Sequence, residues 1–258
     1  ARTLRPYDDS GRYEYYRNDW APFNIMEEYQ QNKMRIKMNE FRLFLQGNWT
    51  PVNDLHLSAL LNVRHAVTHM MHSIGERSNV IGAYRANGNE MFRRDNIYLY
   101  RDGQSSSAQV AIPMGGIFDK TTRSLQSYIA RISGDYSYSL GEHRLKIFSF
   151  AEVKMSDSDM DRFKGYGITF DKANGIATSP DIFKKTIAEG DDYFGVQHTY
   201  DRGIVFSGSL TYSYKNRYVA NVVGNYEGSN LSGTSDRVRW LPTWNVGAVS
   251  YTHLRAHE

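Results

Sequence analysis

The sequence contains no cysteine, which excludes a disulfide frame and a thiolate metal site and leaves the redox compartment open. It also lacks any apolar run approaching the roughly twenty residues of a membrane-spanning helix. A bilayer crossing would therefore need a closed barrel, the one strand architecture that pairs every backbone group within lipid. Charge of one sign is scarce too. The net charge is +3 over 258 residues, and Lys and Arg are scattered rather than gathered into the basic stripe that nucleic acid requires. No signal peptide opens the chain, because "ARTLRPYDDSGRYEYYRND" is polar, aromatic and without an initiating Met. The beginning reads as cut, with a targeting segment and anything preceding the barrel expected upstream of Ala1.

Chemical motifs are missing as well. There is no Gly-x-Ser-x-Gly elbow, no His-Glu-x-x-His helix and no carboxylate pair that can be placed in one cleft, so no catalytic residue and no enzyme activity are expected. Gly165-Tyr166-Gly167 lacks the further glycine and helix of a dinucleotide fingerprint, and no cofactor is expected. His65, His69 and His72 invite a metal. On a strand, however, His72 points away from the other two, and they read as a polar strand end with no metal bound. Asp157, Asp159 and Asp161 are spaced like the first ligands of a calcium loop. Arg162 stands where Gly is needed and Ile168 where a bidentate Glu is needed, so a solvated acidic loop is expected.

What the chain does have is alternation. Phe41, Leu43, Leu45, Gly47 and Trp49 share one face of an extended segment and Arg42, Gln46 and Asn48 the other, interrupted by Phe44. After Thr50-Pro51-Val52-Asn53-Asp54 the pattern returns. Leu55, Leu57, Ala59, Leu61 and Val63 oppose His56, Ser58, Asn62 and Arg64, with Leu60 as the exception. A second hairpin sets Tyr128, Ala130, Ile132, Gly134, Tyr136 and Tyr138 against Ser127, Arg131, Ser133, Asp135, Ser137 and Ser139. It turns at Gly141-Glu142 and comes back with Leu145, Ile147, Ala151 and Val153 against Arg144, Lys146, Glu152 and Lys154, Phe148 and Phe150 being mixed in. A third begins at Gly203, where Ile204, Phe206, Leu210, Tyr212 and Tyr214 oppose Ser207, Ser209, Thr211 and Ser213. It turns at Lys215-Asn216-Arg217 and returns through Tyr218, Ala220, Val222, Gly224 and Tyr226, alternating with Asn221 and Asn225.

Each strand carries roughly ten or more residues, the length a tilted strand needs to cross a bilayer. The hairpins are separated by long connections: roughly fifty residues from His72 to Thr122, about forty from Ser156 to Asp201, and a shorter one from Glu227 to Arg239. Tight turns at one end and long loops at the other are the signature of a transmembrane barrel with short periplasmic turns and long extracellular loops. A mean hydropathy of −0.59 does not oppose this, since barrel strands hide their lipid face in alternation. Aromatics are plentiful, with 19 Tyr, 12 Phe and 4 Trp to supply belts at both membrane interfaces. Within the loops, Trp20, Phe23, Tyr84, Phe92, Tyr98, Tyr100, Tyr193 and Phe194 are candidates to stack on a sugar or to fill loop interiors. Trp20, Tyr84, Tyr98 and Tyr193 are the candidate substrate contacts. "GERSNVIGAYRANGNEMFRRDN" and "GYGITFDKANGIATSP" read as irregular surface loops, and Asp181 to Gly190 as a short helix with Asp at its start and Gly at its end.

The run "LTYSYKNRYVANVVGNYEGSN", followed by "RWLPTWNVGAVS", resembles the late barrel strands of SusC-like TonB-dependent outer-membrane transporters. The resemblance rests on Tyr214 to Tyr218, on an expected loop at Asn225-Tyr226-Glu227-Gly228-Ser229, and on Leu241 to Gly247 around Pro242. Asn and Glu stand where that family usually has Arg and Asp. "HRLKIFSFAEVKM" and "NDWAPFNIMEEYQQNKM" also resemble family segments in order and spacing. The resemblance implies an all-β antiparallel barrel, closed in that family by about 22 strands, of which residues 1–249 would supply about seven or eight. Plug domain and final strands would lie elsewhere. It further implies import of a glycan oligomer or peptide, outer-membrane lipid around the barrel, a SusD-like lipoprotein lid, and the TonB complex acting through the missing plug. Residues 250–258, "SYTHLRAHE", break the alternation and resemble adapter read-through, a non-native tail, against the alternative of a natural polar one. Three other readings of the whole stay open: a soluble aromatic-rich sandwich that binds polysaccharide, a passive porin, and a barrel lipid hydrolase.

Overall fold

A computed structural model describes residues 4–103, 107–171, 178–233, 235 and 239–251. Seven long strands form one antiparallel sheet in chain order: β3 (Asn32–Val52), β4 (Leu55–Ile74), β5 (Gly116–Leu140), β6 (His143–Ile168), β7 (Phe194–Tyr214), β8 (Tyr218–Ser229) and β9 (Trp240–Ser250). Ahead of it, β1 (Tyr16–Asn18) and β2 (Ala21–Phe23) make a two-stranded sheet, followed by helix α1 (Ile25–Gln31). Helices α2 (Asn79–Arg85) and α3 (Glu90–Asp95) lie between β4 and β5, and α4 (Asp181–Glu189) between β6 and β7.

The turns fall where alternation places them. Lys215 and Asn216 both have φ of 54°, the left-handed pair that joins twisted strands in a tight hairpin, and Gly141 turns with φ of 57°. The first turn is tighter than the sequence suggests, because Thr50, Pro51 and Val52 remain in β3 and only Asn53 and Asp54 turn. The strand register confirms the face assignment of β7 and β8. Phe206 pairs with Tyr226, Gly208 with Gly224 and Leu210 with Val222, while Ser207 pairs with Asn225 and Thr211 with Asn221. Across to β9, Val222 meets Val246, Gly224 meets Trp244 and Asn225 meets Thr243. Directly paired residues share a face, so apolar and polar rows continue from strand to strand.

Three expectations about loops are corrected. β5 and β6 have 25 and 26 residues, more than twice the about 9–11 of a simple spanning strand. Their pairing continues well past the apolar rows, and the connections shrink to residues 75–115 and 169–193. Asp157, Asp159 and Asp161 belong to β6 and form no loop. Asn225 to Ser229 likewise form no loop; they are the end of β8, paired to β7. The backbone hydrogen bonds of these polar stretches are taken up by neighbouring strands, which alternation alone does not reveal.

Two compact units divide the chain. One comprises the residues up to Met38, Val67–Arg123 and Met160–Gln197. It has a true core, in which Ile81, Ala111, Ile112, Ile117, Tyr166 and Ile182 are buried and Ile74, Tyr84, Tyr100, Phe183 and Tyr193 pack around them. Each isoleucine taken out of water there contributes about 1.5–3 kcal/mol. The other unit comprises Asn39–Ala66, Ser124–Asp159 and the residues from His198 onward. Within it the large apolar side chains stay uncovered: Trp49 is 66% exposed, Ile132 65%, Val246 62% and Trp244 79%. Among the described residues no second layer packs on that face. Of the terminal segment, Ser250 pairs with Tyr218 in β9 and residues 252–258 lie outside the described residues. So does the part of "GYGITFDKANGIATSP" at 172–177.

Candidate functional site

The polar rows of the second unit are cross-linked from strand to strand. Arg64 Nε donates to Glu40 Oε1 at 3.0 Å, and Arg42 Nη2 reaches the same oxygen at 2.8 Å. The hydroxyls of Ser58 and Ser133 lie 2.6 Å apart. Arg131 pairs with Glu152 at 2.6 Å, and its guanidinium sits 4.9 Å from the centroid of Phe150. Ser207 bonds Asn225 at 2.5 Å, Asn221 donates to Thr211 at 2.8 Å, and Asn225 approaches Thr243 at 3.4 Å. Apart from Glu40 and Thr243, the polar partners lie on the side that alternation predicts for them. Phe148 and Phe150, the exceptions in that pattern, lie 6.0 Å apart, and Arg131 covers the second ring.

In the first unit the candidate loop aromatics occupy three settings. Trp20 meets Phe92 edge to face at 5.5 Å, and Arg17 lies 4.4 Å over the Phe92 ring. Tyr84 and Tyr98 meet at 5.2 Å, and Tyr84 packs on the buried cluster with Tyr100 and Tyr193. Burial pushes the Tyr84 phenol up to about 12, with the carboxylates of Glu189 and Asp191 adding to the effect. Tyr193 abuts Phe183 at 4.8 Å. Phe23 closes β2, and Phe194, which opens β7, is 61% exposed.

Local capping explains the helices that the alternation pattern did not find. Asn24 accepts from the backbone N–H groups of Met26 and Glu27, Ser78 from that of Ile81, and Asn89 from that of Phe92. Those three side chains were the available signals. The helix expected at Asp181 to Gly190 is present, closed by Gly190 at φ of 68°. Lys185 on α4 is buried, and its ammonium donates to the Ile97 carbonyl at 2.6 Å and to Glu189.

The same unit holds an open cleft of about 830 Å³ lined by Gln30, Lys33, Ser73, Arg77, Phe170 and Asp171 among others. Sequence reasoning missed it, since these residues come from the end of α1, the start of β3, the end of β4 and the segment after β6. Of the three histidines, His69 Nδ1 lies 3.2 Å from Thr122 Oγ1 and His72 Nε2 lies 2.5 Å from Asn32 Oδ1, all within the strands. Asp157 takes a bidentate pair of bonds from Arg202 at 2.7 and 2.9 Å, and Asp159 pairs with His198 at 2.5 Å. Asp157 is thus paired with Arg202 of β7 and Asp159 with His198 of β7, and all three aspartates stand in a strand, not in a loop. Among the described residues, no three His, Cys, Asp or Glu side chains cluster as metal ligands.

Long antiparallel strands in simple up-and-down order, with tight turns at one end and larger connections at the other, define an all-β stretch of barrel wall. Solved structures agree. The chain is similar to the RagAB peptide importer in its closed-closed state, with a TM-score of 0.62, 13% identity, 94% of this chain covered and 23% of that one. It is equally similar to the RagAB peptide transporter and to the importer's open-open state, each with a TM-score of 0.63 at the same identity and coverage. The chain thus spans under a quarter of the length of those chains, and the likeness is one of fold. No protein-family model matches the sequence, and no curated protein matches it.

Proposed function

We propose that this chain is part of the wall of a SusC-like, TonB-dependent outer-membrane barrel that imports a peptide or a glycan oligomer. The carrying observation is the uncovered apolar face of the second unit, with Trp49, Ile132, Trp244 and Val246 each more than three-fifths exposed. In water that face is a large aggregation liability; against hydrocarbon it is the ordinary exterior of a barrel strand. A soluble polysaccharide-binding sandwich would have covered it with a second sheet. The opposite face, hydrogen-bonded through serines, asparagines and Arg–carboxylate pairs, suits a wet lumen.

On this reading the protein makes and breaks no covalent bond. Its partners are outer-membrane lipid, a SusD-like lipoprotein over the outer mouth, and the TonB complex working through a plug domain. Trp20, Tyr84, Tyr98 and Tyr193 belong to the same proposal as loop contacts to substrate, and residues 250–258 as a non-native tail on a barrel portion ending at residue 249. The test is the solvent in which the chain is monodisperse. A barrel portion sediments as a defined species in detergent micelles and aggregates in plain buffer. A monodisperse, folded chain in buffer alone would sink the proposal.

A further inference from the structure

The cleft of the first unit has an uneven charge inventory. Arg77 is held 3.4 Å from the buried carboxylate of Glu27. Glu76 pairs with Arg85 at 3.0 Å and accepts the Gly115 N–H at 3.2 Å. Gln31 accepts from the Arg77 N–H at 3.4 Å. These three are fixed by their own neighbours. Lys33 and Asp171 are not: among the described residues neither side chain makes a hydrogen bond or an ion pair, and the same holds for Gln30 and Ser73. Phe170, 40% exposed and edge-on to Phe118 at 6.5 Å, gives the cleft an apolar wall. The volume of about 830 Å³ lies in the range of about 300–1,000 Å³ typical of small-ligand sites.

We propose that this cleft binds the free ends of a short peptide, with the Lys33 ammonium taking the terminal carboxylate and the Asp171 carboxylate taking the terminal ammonium. Among the described residues, one unpaired cation and one unpaired anion on a lining that also carries neutral amide and hydroxyl groups complement a ligand of zero net charge that carries one charge of each sign. A phosphate would meet Asp171, and a polyamine would meet Lys33. A neutral sugar would dehydrate both charged groups without replacing their partners, which is unfavourable. The Gln30 amide and Ser73 hydroxyl are available to the peptide backbone. This site deepens the import reading above and rests on it for its biological setting.

The test is isothermal titration of the micelle-solubilised chain with trialanine, with N-acetyl-trialanine amide, and with maltotriose. Trialanine binds, and capping both ends weakens it by at least about tenfold, the order of a lost charge-assisted contact. Lys33→Met makes the acid and the C-terminal amide bind alike, and Asp171→Asn does the same for the free and acetylated amine, each with unchanged strand dichroism. Equal binding of capped and free peptide, binding of maltotriose in its place, no binding at all, or variants that keep full discrimination would each overturn the proposal. Insertion into liposomes is measured separately. A chain that inserts but shows no preference for free ends loses the cleft and keeps the barrel; one that is soluble in buffer loses the barrel, and the same titration in buffer still judges the cleft.

Discussion

Tyr226 and Trp240 stack face to face, their ring centroids 4.8 Å apart and their planes 10° from parallel, beside Gly228, where a Cβ would lie 2.6 Å from the Trp240 ring. The stack therefore requires a glycine at 228. Gly228→Ala pushes the indole off Tyr226 and costs about 1–3 kcal/mol. The near-UV dichroism of the pair falls while the far-UV strand signal stays. An unchanged near-UV spectrum would show that the ring has another seat.

Val222 pairs with Leu210 on one side and Val246 on the other, in the middle of the apolar rows. Val222→Arg costs about 2–4 kcal/mol if that face meets the hydrocarbon midplane. Refolding into lipid vesicles, followed by urea titration, measures it. Asn221→Leu, one residue along and on the other face, is expected to cost less. Equal costs for the two would mean that the faces are not in different solvents.

Arg131 and Glu152 form a close ion pair in the polar rows, at 2.6 Å, but Arg131 is 45% exposed. Glu152→Gln is expected to cost no more than about 1 kcal/mol, as exposed pairs do, because Arg131 keeps its place over Phe150. A loss of several kcal/mol in the same urea titration would mean that the pair is shielded from water.

Tyr84 carries a pH dependence of known sign. Its phenol has an ordinary value of 10.0 and is pushed up to about 12 in the folded chain by burial. A raised value means that the unfolded chain releases the proton first, so the contribution to stability is whole below pH 10 and is lost as pH climbs towards about 12. Tyr84→Phe flattens the stability profile in that window. Differential unfolding of the two proteins between pH 9 and about 12 reads the difference.

Ile182 on α4 is fully buried with Ile81 and Ile112. Ile182→Ala is expected to cost about 2–5 kcal/mol locally. Hydrogen exchange at 75–115 and 181–189 accelerates, while β8 and β9 keep their protection. Uniform acceleration through the sheet would mean that the two units unfold together.

Face assignment and turns were legible because period-two alternation is a local property: Ser58 and Ser133, or Arg131 and Glu152, needed no knowledge of each other to be placed on the polar side. Strand ends were not legible. Asp157 and Asp159 look like loop residues until Arg202 and His198 of the next strand pair with them, and that pairing spans more than thirty positions of sequence. The same holds for Lys33 and Asp171, which reach one cleft only after three strands have folded. Helix α4 was visible in its Asp and Gly, whereas α1, α2 and α3 were signalled only by single capping residues, Asn24, Ser78 and Asn89.

The shared core of Ile81, Ile112 and Ile182 joins two stretches that sequence keeps far apart, 75–115 and 169–193. Exchanging either stretch for that of a distant relative would bring one half of an interlocking surface without its mate. Change in this unit must then come by coordinated substitution in both stretches, or by replacing side chains on a framework left intact.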